Sequence, residues 1–491
     1  MKRTLSCLLV TVLATAVFSG TTPLWAQTSW KQIPIPKLPP FQPAGPKRIA
    51  LPNGMVIFLQ EDHELPLIDG TMRIHGGERS VPANKTGLID IYGEVWRTGG
   101  TKDQTGDQLD DFLEQRAAKV ETDGSIDSTT ISWSCLKEDF DDVFRVFNDL
   151  LMNPEFRVEK IEIAQKGAYD AISRRNDDPS QVARREAAKL VYGANNPYAR
   201  VPEYATVAAV TRQNLVDWHA RTVHPNNTIL GVVGDFDSVK MEARLREAFG
   251  SWQKGEAFKD PEIKFDPAKP AYYLVEKTDV NQSDVQMLAL GTTRRNPDYY
   301  AISVFNEAFG GGFSSRLTND IRTARGLAYA VGGGIGTSWD HDGMLRMIVR
   351  TKSATTFESI QALDKELADL SAKPIDDEEI TRAKDNILNS FVFRFDSPAK
   401  VLQEKMAYEF YGYSLDFLEK YREGIEHVTK ADVARVAAKY LHREQMAVLV
   451  VGNTAEFDKA PGSLGTAHKI DISIPTPPKG LLPEQSGPES Q

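Results

Sequence analysis

The sequence holds 491 residues, with 58 Lys and Arg against 68 Asp and Glu, a formal net charge of −10, and 41% apolar residues. No apolar run near twenty residues follows the N-terminus, which excludes a membrane-spanning helix there and predicts a soluble globular protein of two or more domains. The negative charge is spread without basic blocks, which argues against nucleic acid as a partner and against acidic lipid surfaces.

In chain order, MKRTLSCLLVTVLATAVFSGTTPLWA places Lys2 and Arg3 before an apolar stretch and ends on Ala26, so residues 1–26 read as a secretory signal and the mature chain as periplasmic or secreted. Cys7 precedes most of the apolar part and is no lipid-attachment site, and Cys135 alone cannot form an internal disulfide. Residues 27–46, with prolines 34, 36, 39, 40, 43 and 46, form a Pro-rich extended leader. MVIFLQ at 55–60 and ILGVVG at 229–234 are strand-length apolar runs. Between them, TGLIDIYGEVWRTGGT at 86–101 has a helical apolar pattern and a glycine stop, with Asp90 and Glu94 one turn apart. Leu109, Phe112, Leu113 and Ala117 follow helical spacing, and Ile131, Trp133 and Cys135 alternate as in a half-buried strand.

The chain then repeats itself. VTRQNLVDWHARTVHPNNTILGVVGDF at 210–236 lies over VTKADVARVAAKYLHREQMAVLVVGNT at 428–454 without a gap, and with a one-residue slip Pro179 lies over Pro398. A near-constant offset predicts two copies of one domain, 47–254 and 271–473, joined by a linker at 255–270 and followed by a disordered tail at 474–491. Strands and helices interleave without regular alternation, which predicts an α+β fold.

Chemistry is sparse in this pattern. None of the eight histidines, at 63, 75, 219, 224, 341, 427, 442 and 468, has a partner at i+4, so no helical His-x-x-x-His zinc site can form. Asp90 and Glu94 are open to two readings: oxygen ligands for Ca²⁺, Mg²⁺ or Mn²⁺, or solvated carboxylates on a helix face. There is no G-x-S-x-G elbow. In the second copy, FGGGFSSRLTNDIRTARGLAYAVGGGIG at 309–336 carries a glycine turn and then Arg325 and Tyr329 four apart. On a continuing helix these would present a guanidinium and a phenol together, suited to a carbonyl or carboxylate; otherwise the stretch is a flexible loop with a surface ion pair.

From LPNGMVIFLQEDHELP through the glycine-rich stretch to the C-terminal VVGN, the chain resembles the insulinase and pitrilysin family of inverted zinc peptidases, especially its bacterial and mitochondrial-processing-peptidase branch. Laid on the family's H-x-x-E-H segment, Asp90 replaces the first histidine, Gly93 the catalytic glutamate and Glu94 the second histidine, while Ala171 falls on the further zinc-binding glutamate. The resemblance implies half of a clamshell chamber with no catalytic residue and no metal in this chain. It assigns substrate binding to Arg325 and Tyr329, which would act with a zinc-bearing homologous partner on unfolded peptides. It also implies that Val120 to Gly124 is the family's substrate edge strand, with Glu121-Thr122 in place of the usual Asn-Ala. A scaffold or peptide-binding protein without peptidase activity is the alternative, and an active metalloendopeptidase with an atypical site a third reading.

Overall fold

A computed structural model describes residues 45–478; the signal segment, nearly all of the leader, and the tail from 479 onward lie outside the described residues. The first half builds one sheet from β1 (Lys47–Ala50), β2 (Val56–Glu61), β3 (Leu67–His75), β4 (Lys119–Gly124), β5 (Ser128–Leu136) and β6 (Thr228–Gly234), in the spatial order β1-β2-β6-β3-β5-β4. The second half supplies β7 (Tyr272–Glu276), β8 (Gln282–Leu290), β9 (Thr292–Thr293), β10 (Ala328–Gly334), β11 (Thr337–Ser338), β12 (Met344–Lys352), β13 (Ala447–Gly452) and β14 (Ala467–Lys469). Six of these form the second sheet, ordered β10-β12-β8-β13-β7-β14, while β9 and β11 make a small parallel pair.

The sheets repeat each other as the sequence does. β6 lies parallel to β2 and antiparallel to β3, and β13 stands in the same relation to β7 and β8. The helices ahead of β6 and β13, Arg212–Thr222 and Lys430–Tyr440, both open with a capping box, Thr211 with Asn214 and Thr429 with Asp432. The architecture is α+β, with mixed sheets covered by helices.

Each half also covers the other. Strand β6 is buried at every position, because Leu230 and Val232 join the first core while Ile229 and Val233 meet Leu402, Met406 and Phe410 of the Pro398–Phe410 helix. Reciprocally, Val182, Ala183, Ala187 and Leu190 of the Pro179–Tyr192 helix cover Val275, Leu288, Leu449 and Val451 of the second sheet. The two helices are equivalents in the repeat, so the boundary at 255–270 divides the chain without dividing the packing. Burying each such Val or Leu contributes about 1.5–3 kcal/mol, which ties the halves together apolarly.

Two local expectations change. The helix carrying Leu109 and Leu113 spans Gly106–Glu114 and ends before Ala117, which takes a left-handed φ of 48° as the chain turns into β4. At the other end, Ile474 packs against the first core, where the sequence placed the start of the tail.

Candidate functional site

The Leu88–Thr98 helix begins after Gly87, whose φ of 97° suits glycine at this tight entry. Its first free N–H groups are taken by Glu78, whose carboxylate accepts from Gly87 N (3.1 Å) and Ile89 N (3.3 Å). Ile91, Tyr92, Val95 and Trp96 bury the inner face, and Trp96 Nε1 donates to Leu150 O at 2.8 Å. His219 is a structural histidine in this core: Nε2 meets Leu151 O at 3.0 Å, so Nδ1 accepts from the Tyr92 hydroxyl at 2.8 Å. Burial pushes its pKa down to about 4, which keeps the ring neutral. Asp90 and Glu94 are left on the open face.

Burial pushes Glu78 up to about 7, against the pull of the Gly87 N–H and with the help of nearby Asp90. A carboxyl raised in the folded state gives stability that is present below its unfolded pKa and lost as pH rises through the folded value. Wild-type Tm is therefore expected to decline between about pH 5 and pH 8 by more than that of Glu78→Gln, which has no charge to bury. Parallel Tm profiles for the two proteins would remove Glu78 from the pH dependence.

The position that should carry a general base is shut. A Cβ on Gly93 would stand 2.5 Å from Gly124 N and 2.8 Å from Asp123 C, both backbone atoms of β4. A Cβ on Gly124 would in turn meet Ile89 O at 2.3 Å. Thr122 is inserted into the helix itself: its hydroxyl donates to Gly93 O and accepts from Arg97 N (3.1 Å), bridging two groups that ordinarily bond to each other. Arg97 Nε donates to Val120 O at 3.0 Å, and its guanidinium pairs with Asp110. The outer side of β4, an edge strand, is thereby held against the helix.

These residues do not fit zinc. Asp90, Gly93, Glu94 and Ala171 offer no imidazole, the β4 backbone fills the space of a glutamate at 93, and among the described residues no group of three or more His, Cys, Asp or Glu could hold a metal ion. A pocket of about 430 Å³ is found here instead, bordered by Asp90, Glu94 and Ala171. Burial and neighbouring Asp123 push the Asp90 carboxyl above its ordinary range, and the side chain, exposed on the helix's open face, borders the pocket.

In the second half, Arg325 and Tyr329 do not share a helix face. The helical segment Thr318–Ala324 ends at Arg325, Gly326 turns the chain with φ of 65°, and Tyr329 already belongs to β10. Arg325 Nε is held by Asp320 Oδ2 at 2.7 Å, which raises its pKa, and its two terminal nitrogens have no hydrogen-bond partner among the described residues. Tyr329 sits at a register shift between Ala328 and Ala330 on the edge of the sheet, 78% exposed. It borders a pocket of about 380 Å³ with Gly310–Phe313 and Arg322. Phe313 is 83% exposed, with the Arg322 guanidinium 5.3 Å above its ring. Sequence reading missed Phe313 and Arg322; the signal available was an aromatic residue directly after three glycines.

The chain belongs to the insulinase family of peptidases and lacks the family's zinc-site residues: residues 59–198 match the model described as Insulinase (Peptidase family M16), and residues 209–387 match Peptidase M16 inactive domain. It is 22% identical to the non-peptidase homolog YmxG of Helicobacter pylori, over 81% of this chain and 91% of that protein. It is 24% identical to an uncharacterized zinc protease of Rickettsia felis, over 87% of this chain and 95% of that protein. Its fold is similar to the crystal structure of a peptidase M16 inactive domain from Pseudomonas fluorescens, with a TM-score of 0.75 and 22% identity, covering 85% of this chain and all of that one. Among the described residues, no helix is long and apolar enough to cross a membrane.

Proposed function

We propose that this chain is the non-catalytic subunit of a heteromeric zinc peptidase, periplasmic or secreted, in which a homologous partner carries H-x-x-E-H and the zinc. This chain binds unfolded peptide and provides Arg325 and Tyr329 near the partner's scissile bond, closing half of a clamshell chamber. The reading rests on one contrast. The general-base position of the first half is closed by the β4 backbone, while the second half presents Tyr329 on an exposed edge, beside a glycine-lined pocket, and Arg325, whose two terminal nitrogens have no hydrogen-bond partner among the described residues. A guanidinium and a phenol so exposed are suited to orienting a peptide carbonyl or to stabilising the charge that develops on it.

Mixing the purified chain with zinc-bearing homologues and following cleavage of a fluorogenic peptide tests this. Activity is expected only in the mixture, and Arg325→Ala or Tyr329→Phe in this chain is expected to lower it by about 10²-fold, the scale of lost transition-state contacts. Mixed activity indifferent to both substitutions would favour a scaffold or peptide-binding protein with no catalytic partner.

A further inference from the structure

We infer that the pocket standing in place of the zinc site is a receptor for a lysine or arginine side chain of a bound peptide. This inference rests on the peptide-binding reading above and adds a specificity to it. Ile91, Ala168, Ala171 and Ile172 form an apolar wall, and Ala171, which replaces a family glutamate, contributes to the opening. The pocket, at about 430 Å³, accommodates a four-carbon stem and its charged head.

Charge accounting decides the sign of the ligand. Two arginines border the pocket, and each has a carboxylate partner: Arg175 donates to Glu203 at 2.8 Å, while its buried Nε has none among the described residues, and Arg185 donates at 2.8 Å to Glu186, which Lys189 shares at 3.0 Å, and to the Asn176 side chain at 2.8 Å. Asp90 and Glu94 have neither an ion pair nor a side-chain hydrogen bond among the described residues. Both also border the adjoining recess of about 310 Å³, where β4 adds Glu121 and Asp123 and where Arg97 is paired with Asp110. The unmatched charge across the two recesses is thus negative, next to an apolar wall. An alkyl stem ending in a cation is complementary to both, whereas a carboxylate or a purely apolar side chain would leave two or more carboxylates facing it unpaired.

Two measurements test this on the full mature chain. A labelled unfolded peptide with one lysine is expected to bind about tenfold tighter than the same peptide with norleucine, a preference lost in Asp90→Asn/Glu94→Gln and weakened by salt. Butylguanidinium is expected to raise the Tm of wild type but not of the double variant. Equal binding of the two peptides, with no Tm shift from butylguanidinium, overturns the inference and leaves the peptide-binding reading standing. A Tm shift confined to wild type, with neither peptide bound, upholds the pocket and overturns that reading. A lysine preference that survives the double substitution places the receptor elsewhere and overturns the inference.

Discussion

Gly93→Ala is expected to destabilise the protein by about 1–3 kcal/mol, the range for forcing extra atoms into a packed interior. Helix propensity alone predicts the reverse, since alanine is better than glycine inside a helix by about 1 kcal/mol. Packing wins because the atoms in the way are Gly124 N and Asp123 C, at 2.5 and 2.8 Å, and a backbone cannot rotate aside as a side chain can. Moving β4 outward would also break the Thr122 bridge to Gly93 and Arg97 and the bond from Arg97 Nε to Val120 O. The same geometry governs an attempt to rebuild the enzyme. Asp90→His/Gly93→Glu/Glu94→His/Ala171→Glu restores every family ligand, yet it is expected to unfold more readily than wild type and to retain no stoichiometric zinc. Urea denaturation and metal analysis read both effects. A fourfold variant with a wild-type urea midpoint and one bound zinc would show that β4 yields easily.

Residue identity made the lost chemistry legible in the sequence: Asp90, Gly93, Glu94 and Ala171 name what is missing, and the repeat names the two halves. What was not legible was the closure. Gly93 and Gly124 are far apart in the chain, and each alone reads as a lost base or a strand end; only the fold brings them together. The exchange of the Pro179–Tyr192 and Pro398–Phe410 helices was equally hidden, because an apolar stripe states that a face is buried without naming its partner. Of the two readings open for Arg325 and Tyr329, the shared helix face fails for a local reason: their spacing suits a helix, but Gly326 ends it.

The second half shows what the closure amounts to. There the helix after β9, Tyr299–Asn306, runs on into a wider turn at Glu307–Gly311, and a Cβ on Gly310 would meet Gly333 O of edge strand β10 at 2.5 Å. A helix glycine pressed on an edge-strand glycine is therefore present in both halves. Gly93 has given the first half the packing of a half that carries no H-x-x-E-H positions at all. The missing base and the close approach of β4 fall at one residue, Gly93, so restoring the base is expected to meet resistance from the backbone.

If the halves act as a rigid wall, their polar junction should matter as much as the exchanged helices, and Arg79→Met is expected to cost about 3 kcal/mol, the lower end for breaking a buried ion pair. Arg79 is 6% exposed and reaches three places at once: Asp260 of the linker (Nε to Oδ1, 3.0 Å), Asp340 of the second half, and the Tyr198 hydroxyl at 3.1 Å. Tyr198 stacks on His341 at 4.0 Å, and His341 Nδ1 lies 2.9 Å from Asp340, so the guanidinium organises a cluster spanning both halves. Methionine keeps most of the stem's packing and removes the charge, leaving Asp260 without its cation and Asp340 with His341 alone; their partial exposure lets water compensate, hence the lower end of the range. Burial works to raise Asp340, but His341 and Arg79 hold it down at about 2. A depressed carboxyl gives stability that is present above its unfolded pKa and lost as pH falls through the folded one, so the gap between wild type and Arg79→Met should be widest above about pH 4 and shrink toward pH 2. Protease cleavage within 252–270, a stretch with neither helix nor strand, should accelerate in the variant at neutral pH, because Asp260 anchors its middle. Unchanged urea midpoints and cleavage rates at pH 7 would leave the exchanged helices alone as what joins the halves.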